Sequence, residues 1–449
     1  MSVMSCRPSF DQTALQQQIR PLRRVDNLTN LAFLAAEYLT LATVLGGAIA
    51  FAELRAGWGL AWAWNVPVFA IAIVLVGAIQ HRLAGLGHEA SHYTLLHNKF
   101  ANDLVADLFF MFPLVTTIHF YRLFHMAHHQ YTNDPEHDPD LVNMGEGKQI
   151  HDLPMPRGRF VRNYYLRALL GPLSFPKFQW AYFHVNSLGK GGNVYMKRTP
   201  GGDGDSDRPR VGTVLGFAFI LAFSVWTQFL AMTGRSELMV PSTLAAIAIG
   251  VLGCYLVPTR WTFHSPFRQA YSARFAGAVR ISYYILAQLV LFDLRIATDG
   301  RSAVYFVALW LVPLGTSFSF FMLLRDTYQH GNADDGRLTN SRIFNADPFT
   351  RWAVFVYGQD VHVTHHLFPA IPHFRLRRLH ALLKTGHAEY QEKVVEVYGT
   401  FSNDRGLPTI LDVMTTPREE AGFEEQVGPA SLQMPRAAGF RVGAEHDAA

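Results

Sequence analysis

Cysteine is nearly absent. The 449 residues contain two, Cys6 in a polar tail and Cys254 inside an apolar run, which excludes a disulfide framework and a thiolate metal site. Charge is also scarce. Asp, Glu, Lys and Arg make up 16% of the chain, against about 25% in soluble domains. No stretch interleaves basic and aromatic residues, so a nucleic-acid partner is not expected. No signal peptide is visible: the first thirty residues are mixed and polar, with Arg20, Arg23 and Arg24 just before the first apolar run. The Gly- and Asp-rich stretch 186–210 lacks both a G-K-S/T sequence and a strand–turn–helix context, and reads as a connector rather than a phosphate loop. A Rossmann fingerprint, a cytochrome b5 haem motif and rubredoxin cysteines are missing as well.

What is present is greasy. Hydrophobic residues make up 49% and mean hydropathy is positive, as in an integral membrane protein. A bilayer-crossing helix needs about 20 mostly apolar residues. Five runs qualify, at 31–52, 56–80, 211–234, 238–259 and 302–324, and a sixth, 275–292, is interrupted by Arg280. The run 104–120 carries Asp107, which leaves too few clean residues to cross, so it reads as re-entrant or surface-lying. Around these runs the chain divides into an N-terminal cytosolic segment (1–30), a membrane domain (31–400) and a disordered tail (417–449). The net charge of +4 fits contact with anionic lipid.

The twenty histidines are the excess that needs explaining. G-H-E-A-S-H puts His88 and His92 four apart, on one face of a helix. H-M-A-H-H gives His125, His128 and His129 the same property, and H-V-T-H-H repeats it with His362, His365 and His366. Each box follows an apolar segment, and together they offer eight imidazoles, enough for two metal ions of the iron, zinc, copper or nickel kind. To share one site they must lie on one side of the membrane, so the number of crossings between Gln80 and His330 is even. Six crossings in all satisfy this, and four remain open. Arg82, Lys99, Arg122, Arg260, Arg268, Arg274 and Arg325 fall on the histidine side, which the positive-inside rule puts in the cytoplasm. Box one taken alone also matches the H-E-x-x-H of zinc peptidases, and a metal-binding transporter is a reading from another class. A transporter places its ionisable groups in mid-membrane, whereas these histidines follow the apolar runs.

The three boxes, with H-H-Q-Y-T-N-D-P-E-H-D-P-D at 128–140 and H-V-T-H-H-L-F-P-A-I-P-H-F-R-L at 362–376, resemble the membrane fatty acid desaturase and hydroxylase superfamily over residues 30–400. That resemblance implies an all-α integral membrane fold of four to six transmembrane helices, with a cytosolic helical cap holding a histidine-rich di-iron site. It implies two iron ions (Fe2+/Fe3+) held by His88, His92, His125, His128, His129, His362, His365 and His366. His330 is the implied ninth ligand, in D-T-Y-Q-H, where Asp326 replaces the family's Asn. His97 is a marginal candidate. Glu89, Asp134 and Asp138 are candidates to orient the imidazoles, and loop capping is the alternative for the two aspartates.

The implied chemistry is removal of hydrogen from an unactivated C–H bond of a fatty-acyl or similar lipid, with O2 as co-substrate. Desaturation is the preferred outcome, with hydroxylation or decarboxylation to a terminal alkene as alternatives within the superfamily. An apolar tunnel between the histidines and the spans would hold the substrate. Electrons would come from a separate protein of ferredoxin, rubredoxin or cytochrome b5 type, and the basic run 375–384 would serve as its dock or as a lipid-headgroup contact. A multi-pass protein of the bacterial inner membrane is the expected setting.

Overall fold

The computed structural model describes residues 13–148, 152–170, 174–189, 193–195, 211–258, 261–262, 265 and 267–418. Residues 1–12 of the N-terminal segment, most of the 186–210 connector and the tail from residue 419 lie outside the described residues. Among the described residues six helices are long and apolar enough to cross a membrane: α1 (Thr29–Leu54), α2 (Trp62–Ser91), α5 (Val211–Thr233), α6 (Ser236–Leu256), α7 (Ala273–Ala297) and α8 (Arg301–His330). Shorter helices α3 (Lys99–Ala106), α4 (Ile118–Gln130), α9 (His362–Leu367) and α10 (His373–Gly386) build the histidine-bearing cap. Strand is confined, among the described residues, to a parallel pair of three-residue strands, β1 (Ile343–Asn345) and β2 (Glu396–Tyr398). The fold is an all-α membrane fold.

Local chemistry sets the helix ends. Asp26 accepts a hydrogen bond from the Thr29 amide at 2.7 Å, satisfying a free donor at the start of α1. Gly234 sits at φ +70° just past α5, a left-handed position that favours glycine, and lets the chain reverse into α6. The helices also extend beyond the apolar runs. The second helix starts at Trp62, because residues 56–61 form the turn, and it continues past Gln80 to Ser91. The last continues past Leu324 to His330. His88 and His330 therefore ride on the terminal turns of spanning helices.

The run 104–120 does not form one helix. It breaks into α3, a π-helical turn from Asp107 to Met111 and an irregular segment before α4. Asp107 is the reason. Its buried carboxylate accepts hydrogen bonds from the Ile118 amide (2.8 Å), the Thr117 hydroxyl (3.1 Å) and the Tyr271 hydroxyl (2.8 Å), which anchors the start of α4.

Three of the seven basic residues that marked the cytoplasmic side carry internal ion pairs instead. Arg82 donates to Glu37 at 2.7 Å, Arg122 to Asp103 at 2.9 Å and Arg325 to Asp326 at 2.6 Å. A charge removed from water must be paired, so these residues report packing rather than orientation. Exposed basic residues on the histidine side include Lys99, Arg268, Arg351, Arg377, Arg378 and Lys384.

The molecule has two unequal parts. Helices α2 and α8 pack together with the cap around a large core that includes Leu83, Leu86, Phe110, Phe318 and Tyr328. Helices α5, α6 and α7 form a separate apolar cluster around Phe223, Leu230, Met239, Ile281 and Ile285. Half of the most apolar window of α8 is buried inside the protein, against 17% for α5.

Candidate metal centre

Four elements deliver the histidines. Helix α2 brings His88 and its C-cap His92, α4 brings His125, His128 and His129, α8 ends in His330, and α9 carries His362, His365 and His366. All nine are buried. They fall into two groups whose ligand-capable atoms converge: His88, His92, His125, His129 and His365 in one, and His128, His330, His362 and His366 in the other. In the five-histidine group the Nε2 atoms of His92 and His125 lie 2.9 Å apart, those of His125 and His129 2.9 Å, and those of His129 and His365 3.1 Å. In the four-histidine group Nε2 of His362 lies 3.0 Å from Nε2 of both His330 and His366. The groups abut, with the rings of His129 and His366 stacked at 4.2 Å.

Burial, and after it the neighbouring imidazoles, hold His125, His129, His362 and His366 well below the ordinary histidine range, and burial takes His365 down to about 3. These rings are neutral at pH 7, the form that ligates metal. A neutral imidazole has one donor and one acceptor, so a cluster of Nε2 atoms aimed at one point cannot be satisfied by hydrogen bonds among themselves. A cation at each centre satisfies all of them, and a set of neutral nitrogen donors suits iron, zinc, copper or nickel. The residues fit two metal ions.

Groups behind the rings fix several of them. The Nδ1 of His128 lies 3.0 Å from Asp138 and 3.3 Å from Asp140. Asp138 is itself held by the amides of Asn133 (2.8 Å) and Asp140 (2.9 Å). His330 Nδ1 faces the Asn340 carbonyl at 3.1 Å, His366 Nδ1 faces the Thr132 hydroxyl at 3.1 Å, and the Gln359 amide lies 3.2 Å from His88. Such partners set tautomer and ring orientation.

The weaker sequence candidates separate cleanly. His97 is exposed and belongs to neither group. Asp134 caps its own turn, accepting from the Glu136 and His137 amides at 2.8 and 3.1 Å. Asp326 pairs with Arg325 beside the centre and is in neither group. Both residues line a small chamber of about 40 Å³ between the two groups, with Tyr121, Phe124, Tyr182 and Met322. The pattern H-D-P-D places Asp140 beside Asp138, a signal that could have been read. Gln359, Thr132 and Asn340 carried no comparable signal, since long-range folding brings them to the rings.

The sequence profile of the fatty acid desaturase family matches residues 65–266 and 234–398, most of the chain. The chain belongs to the fatty acid desaturase family. Among similar proteins is the dihydrorhizobitoxine desaturase of Bradyrhizobium elkanii, 32% identical over 170 residues, which are 37% of this chain and 44% of that protein. A Delta 8-(E)-sphingolipid desaturase of Emericella nidulans is 30% identical over 91 residues (20% of this chain, 15% of that one). An sn-1 oleoyl-lipid 12-desaturase of Picosynechococcus sp. is 36% identical over 77 residues (17% and 21%). Each match covers less than half of the relative's length.

Within this desaturase-family chain the H-E-x-x-H of box one does not read as a peptidase site. A hydrolytic base would face the metal. One oxygen of the Glu89 carboxylate instead accepts from the His373 amide and the Thr94 hydroxyl, each at 2.9 Å, and tethers the start of α10 to the end of α2, while the other lies 3.7 Å from Nδ1 of His88. The basic run 375–384 also presents fewer free charges than its sequence suggests. Arg375 donates to the Pro21 and Leu22 carbonyls, Arg377 pairs with Asp360, and Lys384 pairs with Glu396 at 2.6 Å. Arg378, also in this run, is exposed.

Proposed function

We propose that this protein is an O2-dependent lipid desaturase whose nine buried histidines hold two iron ions. The observation that carries the reading is the convergence of three sequence-distant boxes and His330 into adjacent groups of five and four imidazoles. In this reading His88, His92, His125, His129 and His365 bind one iron, and His128, His330, His362 and His366 the other. When bound, iron supplies the capacity to use O2 against an unactivated C–H bond. In the balanced reaction two hydrogens leave neighbouring carbons, and O2 takes four electrons, two from the substrate and two from the donor, and with two further protons from solvent gives two waters.

The protein's own part is to position and to exclude. Neutral imidazoles keep their lone pairs available. Asp138 and the Asn340 carbonyl accept from the Nδ1 atoms of His128 and His330 and so direct each Nε2 inward. Tyr121, Phe124, Tyr182 and Met322 wall the chamber and keep bulk water from the reacting carbon. The substrate class is a fatty-acyl or similar lipid, since the relatives' names include sphingolipid and oleoyl-lipid desaturases. The metal-binding transporter is less well supported, because the histidines sit at the ends of the spanning helices and in the cap rather than at mid-membrane depth.

The histidine side faces the cytoplasm of a bacterial inner membrane in this reading, supported by exposed Lys99, Arg268 and Arg378. Electrons come from a separate ferredoxin, rubredoxin or cytochrome b5 type protein.

The test is expression of the wild type and His365→Ala in a bacterium without endogenous desaturase, with mass spectrometry of total lipids, free acids and headspace. A new double bond present only with the wild type supports the reading and gives its position. Hydroxy acids, or a headspace alkene one carbon short, would move the assignment to hydroxylase or decarboxylase.

A further inference from the structure

Arg280 interrupts a span in the sequence, and the structure gives that charge a setting. A cavity of about 340 Å³ lies between α5, α6 and α7 and reaches the first turn of α4 at Thr117, His119 and Phe120. Its volume is in the range of small-molecule sites, about 300–1,000 Å³. Its walls are mostly apolar, with Leu215, Phe219, Ile249 and Val257 among them. Glycines make the room. A Cβ built on Gly253 would meet nothing within 4 Å, and one on Gly216 would meet only the tip of Ile281 at 3.8 Å.

Arg280 lines this cavity. Its two terminal nitrogens each lie 3.2 Å from the Ser187 carbonyl, and its guanidinium sits 5.0 Å from the centre of the Phe217 ring. It also lies beside the Tyr284 hydroxyl. No carboxylate of the described residues pairs with it. This distinguishes it from Arg82, Arg122 and Arg325, each of which has its own acid. An ionisable side chain within a span that faces a cavity marks a substrate or ligand path, and a guanidinium fits a carboxylate or a phosphate in particular.

We propose that this cavity binds the acyl chain of a single-chain or phospholipid amphiphile, with the anionic head group on Arg280. Resting on the desaturase reading, it is also the membrane-side port of the substrate. Phe120 lines the cavity and the next residue, Tyr121, lines the histidine chamber. Arg280 holds Ser187, and the preceding Asn186 lines the chamber too. One helical turn of α4 and residues 186–187 are the wall between the two spaces.

The test is photolabelling of the purified full-length protein in detergent with a diazirine-bearing hexadecanoic acid, without reductant, followed by peptide mapping. Gly253→Leu and Gly216→Leu fill the cavity, and Gly47→Leu, on an exposed face of α1 where a Cβ meets nothing within 4 Å, is the control. The expected result is labelling of α5–α7 peptides that is lost in both cavity variants and kept in the control. Arg280→Gln should weaken labelling by about tenfold, as expected for loss of a charge-assisted hydrogen bond. Competition by unlabelled hexadecanoate assigns the head as a carboxylate, and competition by phosphatidylglycerol alone assigns it as a phosphate. Undiminished labelling in Gly253→Leu, or equal competition by hexadecanol, would overturn the proposal. Labelling does not depend on turnover, so a protein that labels but oxidises no lipid would sink the desaturase reading and leave the site standing.

Discussion

The two histidine groups differ in what stands behind the rings. In the four-histidine group three of four imidazoles have a partner on Nδ1: Asp138 with Asp140 on His128, the Asn340 carbonyl on His330 and Thr132 on His366. In the five-histidine group Gln359 stands beside His88, whose Nδ1 also lies 3.7 Å from the Glu89 carboxylate, and among the described residues the buried Nδ1 atoms of His129 and His365, like that of His362 in the other group, have no hydrogen-bond partner. More rings of the four-histidine group are thus held by close polar contacts, and the Asp138 carboxylate stands nearer to His128 than the Glu89 carboxylate does to His88. A carboxylate behind an imidazole makes it a stronger donor. The two groups are therefore chemically unequal although the boxes that form them look alike.

Removing a ring from either group should have the largest effect. His365→Ala and His362→Ala should each abolish lipid oxidation, and iron analysis of the purified proteins should find about half the wild-type metal in each if the groups load independently. A wild-type iron content in either variant would remove that residue from the ligand set.

The next largest effect should be one-sided. Asp138→Asn weakens the hydrogen bond to His128 and should lower metal affinity at one of the two positions by about 10- to 100-fold. Chelator titration should then resolve two release steps where Gln359→Leu leaves them closer together. A single unshifted release curve for Asp138→Asn would mean that the carboxylate does not distinguish the groups.

Acid should act on the metal-free protein through the neutral rings. His365 stays unprotonated in the folded state down to about 3, while an unfolded histidine titrates near about 6.5. Between these values the unfolded chain binds the extra proton. The stability from this group is therefore complete above about 6.5 and is lost as pH falls toward about 3. Melting temperature of the metal-free protein should drop between about pH 7 and 5, and the drop should be shallower in His365→Gln. An identical slope in the two proteins would contradict the neutral assignment.

Smaller effects should sit outside both groups. Glu89→Gln disturbs the tether to the His373 amide and should cost about 1–3 kcal/mol of stability, with both metals retained. Loss of metal there would give Glu89 a role at the centre. Asp134→Ala should change stability by about 0.5 kcal/mol and leave metal content alone, because the residue caps an exposed turn.

Much of this was legible in the chain. Helical spacing within each box puts its rings on one face whatever surrounds it, because 3.6 residues per turn is a property of the backbone. Apolar runs of about 20 residues must become helices in a bilayer, where no water satisfies the peptide groups, and the even count of crossings follows from placing the boxes together. Other features were decided by tertiary contact. Which histidine joins which group could not be read, because neighbours on one helix, His128 and His129, go to different groups. Arg82, Arg122 and Arg325 looked like markers of membrane side until the fold supplied each with an acid far along the chain or next to it. The sequence by itself determined the helices, the boxes and the neutral donor chemistry, all local properties of spacing and composition. Only the tertiary structure decided the five-and-four division, the placing of Gln359, Thr132 and Asn340 against the rings and the cavity beside Arg280, because those depend on contacts between residues that chain order does not bring together.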